Sequence, residues 1–330
     1  MPRPAIWIAP LCAALLSVAC RDGVRRQSSR APEVRVIHLE QETRSGMTAR
    51  VRWALSPDSS AILLMEDPAG VEMDPVPNAF ILAREGWGTV RDDAAWDVAP
   101  SPDWRWLAWG RAYLVMPANG DSVSDSAWRS LAGVVGLDAS LLERGSFPAS
   151  GMSMARGFAR PVVASIAEGA APAGTARALD LAGGWRVRWS GDTLAAFGAR
   201  PVRAVDDAAP VSWTLVDPRT GRDAIEARDS AALSQVAWTE GPLLDIAVPL
   251  DLRAPRTIVT SRWRFESRDG VLAVAPAAGG ASRAIGPALP LAATRSGTYL
   301  AALVPRRNAE EHDRTEELVM LELRGGGGGK

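Results

Sequence analysis

Apolar residues in this chain come in short runs, each entered through a polar turn, and the arrangement recurs. One unit is a turn followed by a strand of small and branched side chains. It reads WALSPDSSAILLM from Trp53, WDVAPSPDWRWLAWG from Trp96 and RWSGDTLAAFG from Arg188. Weaker copies are AWTEGPLLDIAV from Ala237 and LAATRSGTYLAALV from Leu291. Aligned at the turn position that favours glycine, the copies fall at Ser59, Trp104, Gly191, Gly241 and Gly297. The second unit is a hairpin with a Gly-containing polar turn. It appears as FILAREGWGTV, YLVMPANGDSV, VVASIAEGAAPAG, WTLVDPRTGRDAI and LAVAPAAGGASRAI, and the run ELVMLELRG is half a copy. Short apolar runs bounded by Gly, Asn and Pro predict strands joined by tight turns.

The steps between the aligned turns are 45, 87, 50 and 56 residues, so the long one reads as two periods with one copy obscured. The third hairpin falls in that gap. Two interleaving markers predict an all-β fold, a six-bladed β-propeller rather than a seven-bladed one, over residues 34–323. A ring must also remove its last free edge. Val34, Val36 and His38 alternate with Arg35, Ile37 and Leu39, and this strand is predicted to complete the final blade.

These residues resemble the repeats of TolB-type bacterial β-propellers, whose blades carry a Ser-Pro-Asp-Gly turn followed by Leu/Ile-Ala-Phe. Ser56-Pro57-Asp58 and Ser101-Pro102-Asp103 match the turn. Leu194-Ala195-Ala196 and Leu300-Ala301-Ala302 match the strand, and Asp217 to Gly221 matches a hairpin such blades often carry. No copy has the full turn signature. The resemblance implies the fold, over roughly residues 50–323, and leaves function open.

One segment departs from the repeat. Residues 124–145 place Trp128, Leu131, Val135 and Leu142 at helical spacings, with Ser124 or Asp125 as N-cap and Gly145 as stop. Gly133 and Gly136 weaken a single helix, and two short helices split near Asp138 fit equally. The reading is a short helical insertion from one blade.

The first residues read as an address. Arg3 precedes an apolar run from Ala5 to Ala19. That run is shorter than the ~20 residues a spanning helix needs and suits a secretory signal. It ends Leu16-Ser17-Val18-Ala19-Cys20, a form similar to a bacterial lipobox, although Ser17 stands where an apolar residue is expected. The expectation is a signal over 1–19, lipidation at Cys20, a flexible tether over 20–33 and an extracytoplasmic, membrane-anchored location, periplasmic in a Gram-negative cell. Cleavage after Ala19 without a lipid, and an uncleaved anchor, stay open. Residues 324–330 are expected to be a disordered Gly-rich tail.

Composition narrows the chemistry. The formal charge of -1 argues against a nucleic-acid partner. Cys12 and Cys20 are the two cysteines, so the body has neither a disulfide nor a thiolate nucleophile. The two histidines, His38 and His312, stand in a closing strand and a polar loop, far from the GMSMARG around Ser153, which lacks the nucleophile-elbow glycines. Zinc would need more ligands. Asn119 to Asp125 lacks the calcium-loop spacing, and no phosphate-binding glycine motif occurs. Asp92-Asp93, Asp206-Asp207 and Glu310-Glu311 are acidic pairs that a glycosidase would need in opposition, but adjacent acids usually mark a solvated turn.

Thirteen tryptophans remain to be placed. Trp53, Trp96, Trp189 and Trp238 recur at the blade period and are expected in the core, as is Trp109. Trp104 and Trp106, flanking Arg105, are expected to stand out at one end of the ring, and with Trp128 they are the candidate interface. The expected function is a non-catalytic scaffold or accessory subunit, without cofactor. It would be held to the membrane by its lipid and bound to protein partners in a membrane or envelope complex. A carbohydrate or peptide sensor using the channel is the alternative, followed by a hydrolase with a carboxylate site.

Overall fold

The computed structural model describes residues 32–39, 49–68, 78–115, parts of 126–138, 146–148, 156–170, 175–199 except 182, 212–227, 238–239, 244–246, 251–305 and 316–324. Nearly all of its regular structure is antiparallel strand. β1 (Glu33–His38) is followed by β2 (Ala49–Leu55), β3 (Ala61–Pro68), β4 (Asn78–Arg84) and β5 (Gly88–Pro100). The first half of β5 pairs with β4, and from Ala95 onward it pairs with β6 (Trp106–Val115). The outer strand of one module therefore runs directly into the inner strand of the next, through register shifts at both ladders.

The second module continues from β6 to β8 (Arg156–Ser165), which carries β7 (Ser146–Pro148) and β9 (Arg177–Ala178) along its far edge. β10 (Arg186–Ser190), β11 (Leu194–Ala199), β12 (Ser212–Asp217) and β13 (Arg222–Ala227) form the third meander. The short β14 (Trp238–Thr239) and β15 (Leu244–Ile246) precede a fourth meander of β16 (Arg256–Val259), β17 (Trp263–Arg268), β18 (Val271–Pro276) and β19 (Arg283–Pro287). The last module is β20 (Leu289–Ala293), β21 (Tyr299–Pro305) and β22 (Glu316–Arg324), completed by β1. The expected closing strand is thus in place: Val34 pairs with Leu323 and His38 with Val319.

The central strands are continuous apolar runs because both faces of each sheet are buried, with successive side chains pointing to opposite faces. Along β3, Ile62 and Leu64 pack toward the last module, against Leu291, Tyr299 and Met320. Ala61, Leu63 and Met65 pack the other way, with Trp104, Leu107 and Trp109 of the second module. The second and third modules share Ala108, Val163, Val187, Trp189 and Phe197, and the fourth and fifth share Phe265, Val274, Leu300 and Leu321. Close approach also fixes positions: a Cβ on Gly110 would lie 1.7 Å from the carbonyl oxygen of Gly184. Trp96, Trp109 and Trp189 are buried as expected, whereas Trp53 and Trp238 are half-buried.

The count differs from the repeat spacing. Among the described residues there are five meanders, and the six-module count is not matched. The 87-residue step is one module interrupted between β6 and β8, not two periods, because β8 pairs with β6 along its whole length. The insertion leaves from the middle of that module; Ser126, Ser130, Leu131, Gly133 and Val134 are helical, and Gly136 has a φ of +66°. The copy aligned at Gly241 has no sheet of its own among the described residues. Residues 256–268 supply the inner strands that were expected from it.

Candidate functional site

Each Ser-Pro-Asp turn is a closed set of hydrogen bonds. Ser56 Oγ donates to Asp58 Oδ1 at 2.7 Å and accepts from the Ala61 amide at 2.9 Å, while the Ser60 amide and hydroxyl also donate to Asp58 Oδ1. The second turn repeats it, with Ser101 Oγ on Asp103 Oδ1 at 2.6 Å and the Arg105 and Trp106 amides on Ser101 Oγ. In the last module Thr294 and Ser296 play the two roles, at Tyr299 and Thr298. The glycine slot explains itself: Ser59, Trp104, Gly191 and Gly297 have φ of 55°, 54°, 57° and 76°. Two L-residues are therefore held in the left-handed region, at a cost of about 1–2 kcal/mol each.

These turns are tied to one another by hydrogen bonds between neighbouring modules. The Ser261 amide donates to Arg295 O, the Arg295 amide to Ser59 O, and the Ser296 amide to Glu85 Oε1. Arg84 Nη1 donates to Trp104 O, and the Ile166 amide to Arg105 O. Asp58 is drawn into the same belt. Burial pushes its carboxyl up, but the bonds from Ser56 and Ser60, with the charge of Arg84, outweigh this and bring it down to about 2.

Trp104 and Trp106 do not stand out together as expected. Trp104 is 2% exposed and packs in the core between the first two modules. Its ring takes that direction because the backbone at the glycine slot turns it inward. Trp106 is half-buried against the core of the second and third modules. Arg105 alone stands out, with its guanidinium 3.6 Å from Asp103 Oδ2. Trp128, Cys20, His312, Ser153, Asp206-Asp207, Glu310-Glu311 and Asn119 to Asp125 lie outside the described residues or their described side chains.

Several of the described acids, and the described histidine His38, have structural partners. Asp92 accepts from Trp109 Nε1 at 3.0 Å and lies 3.5 Å from Arg111 Nε. Asp93 accepts from Arg91. Asp97 accepts from the Val187 amide at 2.9 Å, joining the second module to the third. A charged hydrogen bond from Arg219 holds the Asp217 carboxyl below its ordinary range. His38 Nδ1 lies 2.7 Å from Glu317 Oε1 across the closing strand pair. Among the described residues no three His, Cys, Asp or Glu side chains converge as a metal site, and no helix is long and apolar enough to cross a membrane.

A different arrangement occupies the first-strand edges of two modules. β14 adds to β10, with Trp189 opposite Thr239 and Ser190 opposite Trp238. β15 adds to β2, with Trp53 opposite Leu244 and Val51 opposite Ile246. The Trp238 ring lies 4.9 Å from that of Trp213, and the exposed Arg188 guanidinium sits over both, at 5.7 and 5.5 Å. A guanidinium at this distance is attracted to the negative faces of the indole rings. The sequence placed Trp238 in a blade core. The signal for its other position was that its module lacks the length for four strands before β16.

Successive meanders packed face to face, with an N-terminal strand completing the last, define a propeller-type fold. Solved structures similar to the chain include the acylaminoacyl peptidase of Pyrococcus horikoshii, at 11% identity and a TM-score of 0.28, covering 88% of this chain and 41% of that one. Another is the β-propeller domain of the Trilobed protease from Pyrococcus furiosus, at 10% identity and a TM-score of 0.29, covering 84% of this chain and 72% of that one. The chain thus spans 41% of the length of the peptidase. No protein-family model and no curated protein matches it in sequence.

Proposed function

We propose that this chain is a lipid-anchored, extracytoplasmic scaffold of the TolB type of propeller, which holds a partner protein in a membrane or envelope complex instead of turning over a substrate. The observation that carries this is the use made of its carboxylates. Asp58, Asp92, Asp97, Asp103 and Asp217 serve as acceptors that close turns or join modules. An acid engaged in this way is committed to holding turns and modules together and is not presented to a ligand. The apolar run ending at Cys20 supports the anchor, and the Ser-Pro-Asp turns support the repeat type. In this reading β14 and β15 stand in the place of a further blade.

The test is native isolation from gently solubilised membranes. A partner retained in fixed stoichiometry supports the scaffold. A chain that runs alone after crosslinking in intact cells overturns it.

A further inference from the structure

Inner strands of a ring face its channel with one row of N–H and C=O groups unpaired, and such an edge is a template for another strand. Here the chain itself answers two of these edges, β14 on β10 and β15 on β2. Both additions are antiparallel and are made, among the described residues, by Trp238–Thr239 and Leu244–Ile246. The pairing is made by main-chain groups and so does not depend on which side chains the added strand carries. Among the described side chains of these two strands, Trp238 gives the pairing identity, set against Trp213 and Arg188.

The two edges are also within reach of a single ligand. Thr239 pairs with β10 and Leu244 with β2, and the chain between them can extend to at most about 17 Å. One extended segment can therefore engage both.

We infer that the inner edges of β2 and β10 form a receptor for an extended segment of a partner protein, and that β14 and β15 occupy it here as the chain's own surrogate. The segment binds by strand addition, with main-chain bonds for affinity and an aromatic residue in the Trp213–Arg188 notch for selectivity. Internal occupancy lowers the apparent affinity by the fraction of molecules whose edges are free. Partner binding thus exchanges one strand for another and leaves the modules as they are. This rests on the scaffold reading and names how that scaffold takes its partner.

The probe is a labelled synthetic peptide spanning Val236–Ala247, titrated into the purified full chain and followed by fluorescence anisotropy. Trp238→Ala, which removes the aromatic anchor of the surrogate, should bind it about 10-fold more tightly than the native chain. Arg188→Ala in the same background should abolish that gain. Absence of binding by both native chain and Trp238→Ala, each with a native melting curve, overturns the receptor. Where Trp238→Ala does not fold, amide exchange of the native chain decides. Exchange at Trp189, Ser190 and Val51–Trp53 much faster than in β3 and β11 supports a displaceable surrogate; exchange only at the rate of global unfolding overturns it. The titration is blind to membranes and natural partners, so its failure and the failure of the scaffold are read separately.

Discussion

Arg84 Nη1 lies 2.7 Å from the carbonyl oxygen of Trp104, so a buried guanidinium on β4 of the first module holds the turn of the second. The same side chain lowers the carboxyl of Asp58 in the sister turn. One residue, carrying no motif signal of its own, therefore couples two copies of the repeat.

Arg84→Met is expected to destabilise the fold by about 2 kcal/mol, the value of a hydrogen bond from a charged donor. The loss of a buried guanidinium whose Nε has no partner offsets part of a larger penalty. Denaturant unfolding measures the difference, and an unchanged midpoint would contradict the coupling.

Ser59 and Trp104 occupy the same left-handed position and should respond in opposite directions to glycine. Ser59→Gly relieves the backbone and removes little packing, so a gain of about 0.5–1 kcal/mol is expected. Trp104→Gly relieves the same backbone but empties a core site. Its expected cost is about 2–4 kcal/mol, set by the loss of a buried indole. Melting temperatures of the two variants should lie on either side of the native value.

Asp58 makes stability fall in acid. Its carboxyl titrates at about 2 in the folded chain against an ordinary value of 3.8. A depressed folded value means the contribution is complete above the ordinary one and disappears as pH falls from about 4 toward 2. Asp58→Asn should lower the melting temperature at neutral pH and flatten the profile across that window. A variant curve parallel to the native one throughout would sink the assignment.

Closure by β1 carries a larger load. Deleting residues 31–42 removes a strand paired along its length with β22, the His38–Glu317 contact and the buried Leu39. A steep fall in melting temperature is expected. Leu39→Ala isolates the core component, at about 2–4 kcal/mol. An intact transition after the deletion would show that the last module is stable without its fourth strand.

The proposed anchor is tested at one atom. Cys20→Ser should move the protein from the membrane fraction to the soluble extracytoplasmic fraction and remove the acyl mass from its N-terminal peptide. Continued membrane association after carbonate washing would point to an uncleaved apolar anchor instead.

What the sequence revealed was what local chemistry determines. Ser56, Ser101 and their aspartates announced the turns because the side chains themselves close them. The positive φ at Ser59 and Trp104 followed from alignment with Gly191 and Gly297. β1 was legible from its alternation. The register between distant strands was not, since β8 joins β6 across an insertion and its hairpin looks like that of a separate module. Trp104 was misplaced for a related reason. A turn position suggests exposure, but the left-handed backbone directs its ring into the core between modules. The inner-edge arrangement was hidden altogether, because strand addition through main-chain groups leaves no mark on side-chain pattern.

The pairing of Glu33 with Arg324 at one end of β1 has a mechanical consequence. Any load transmitted through the residues before Glu33 reaches the body at that first pair. A load directed away from β22 peels the two strands apart one pair at a time, from Glu33–Arg324 toward His38–Val319. With the anchor proposed above, the strand that completes the last module is also the first part of the body to receive tension from the membrane.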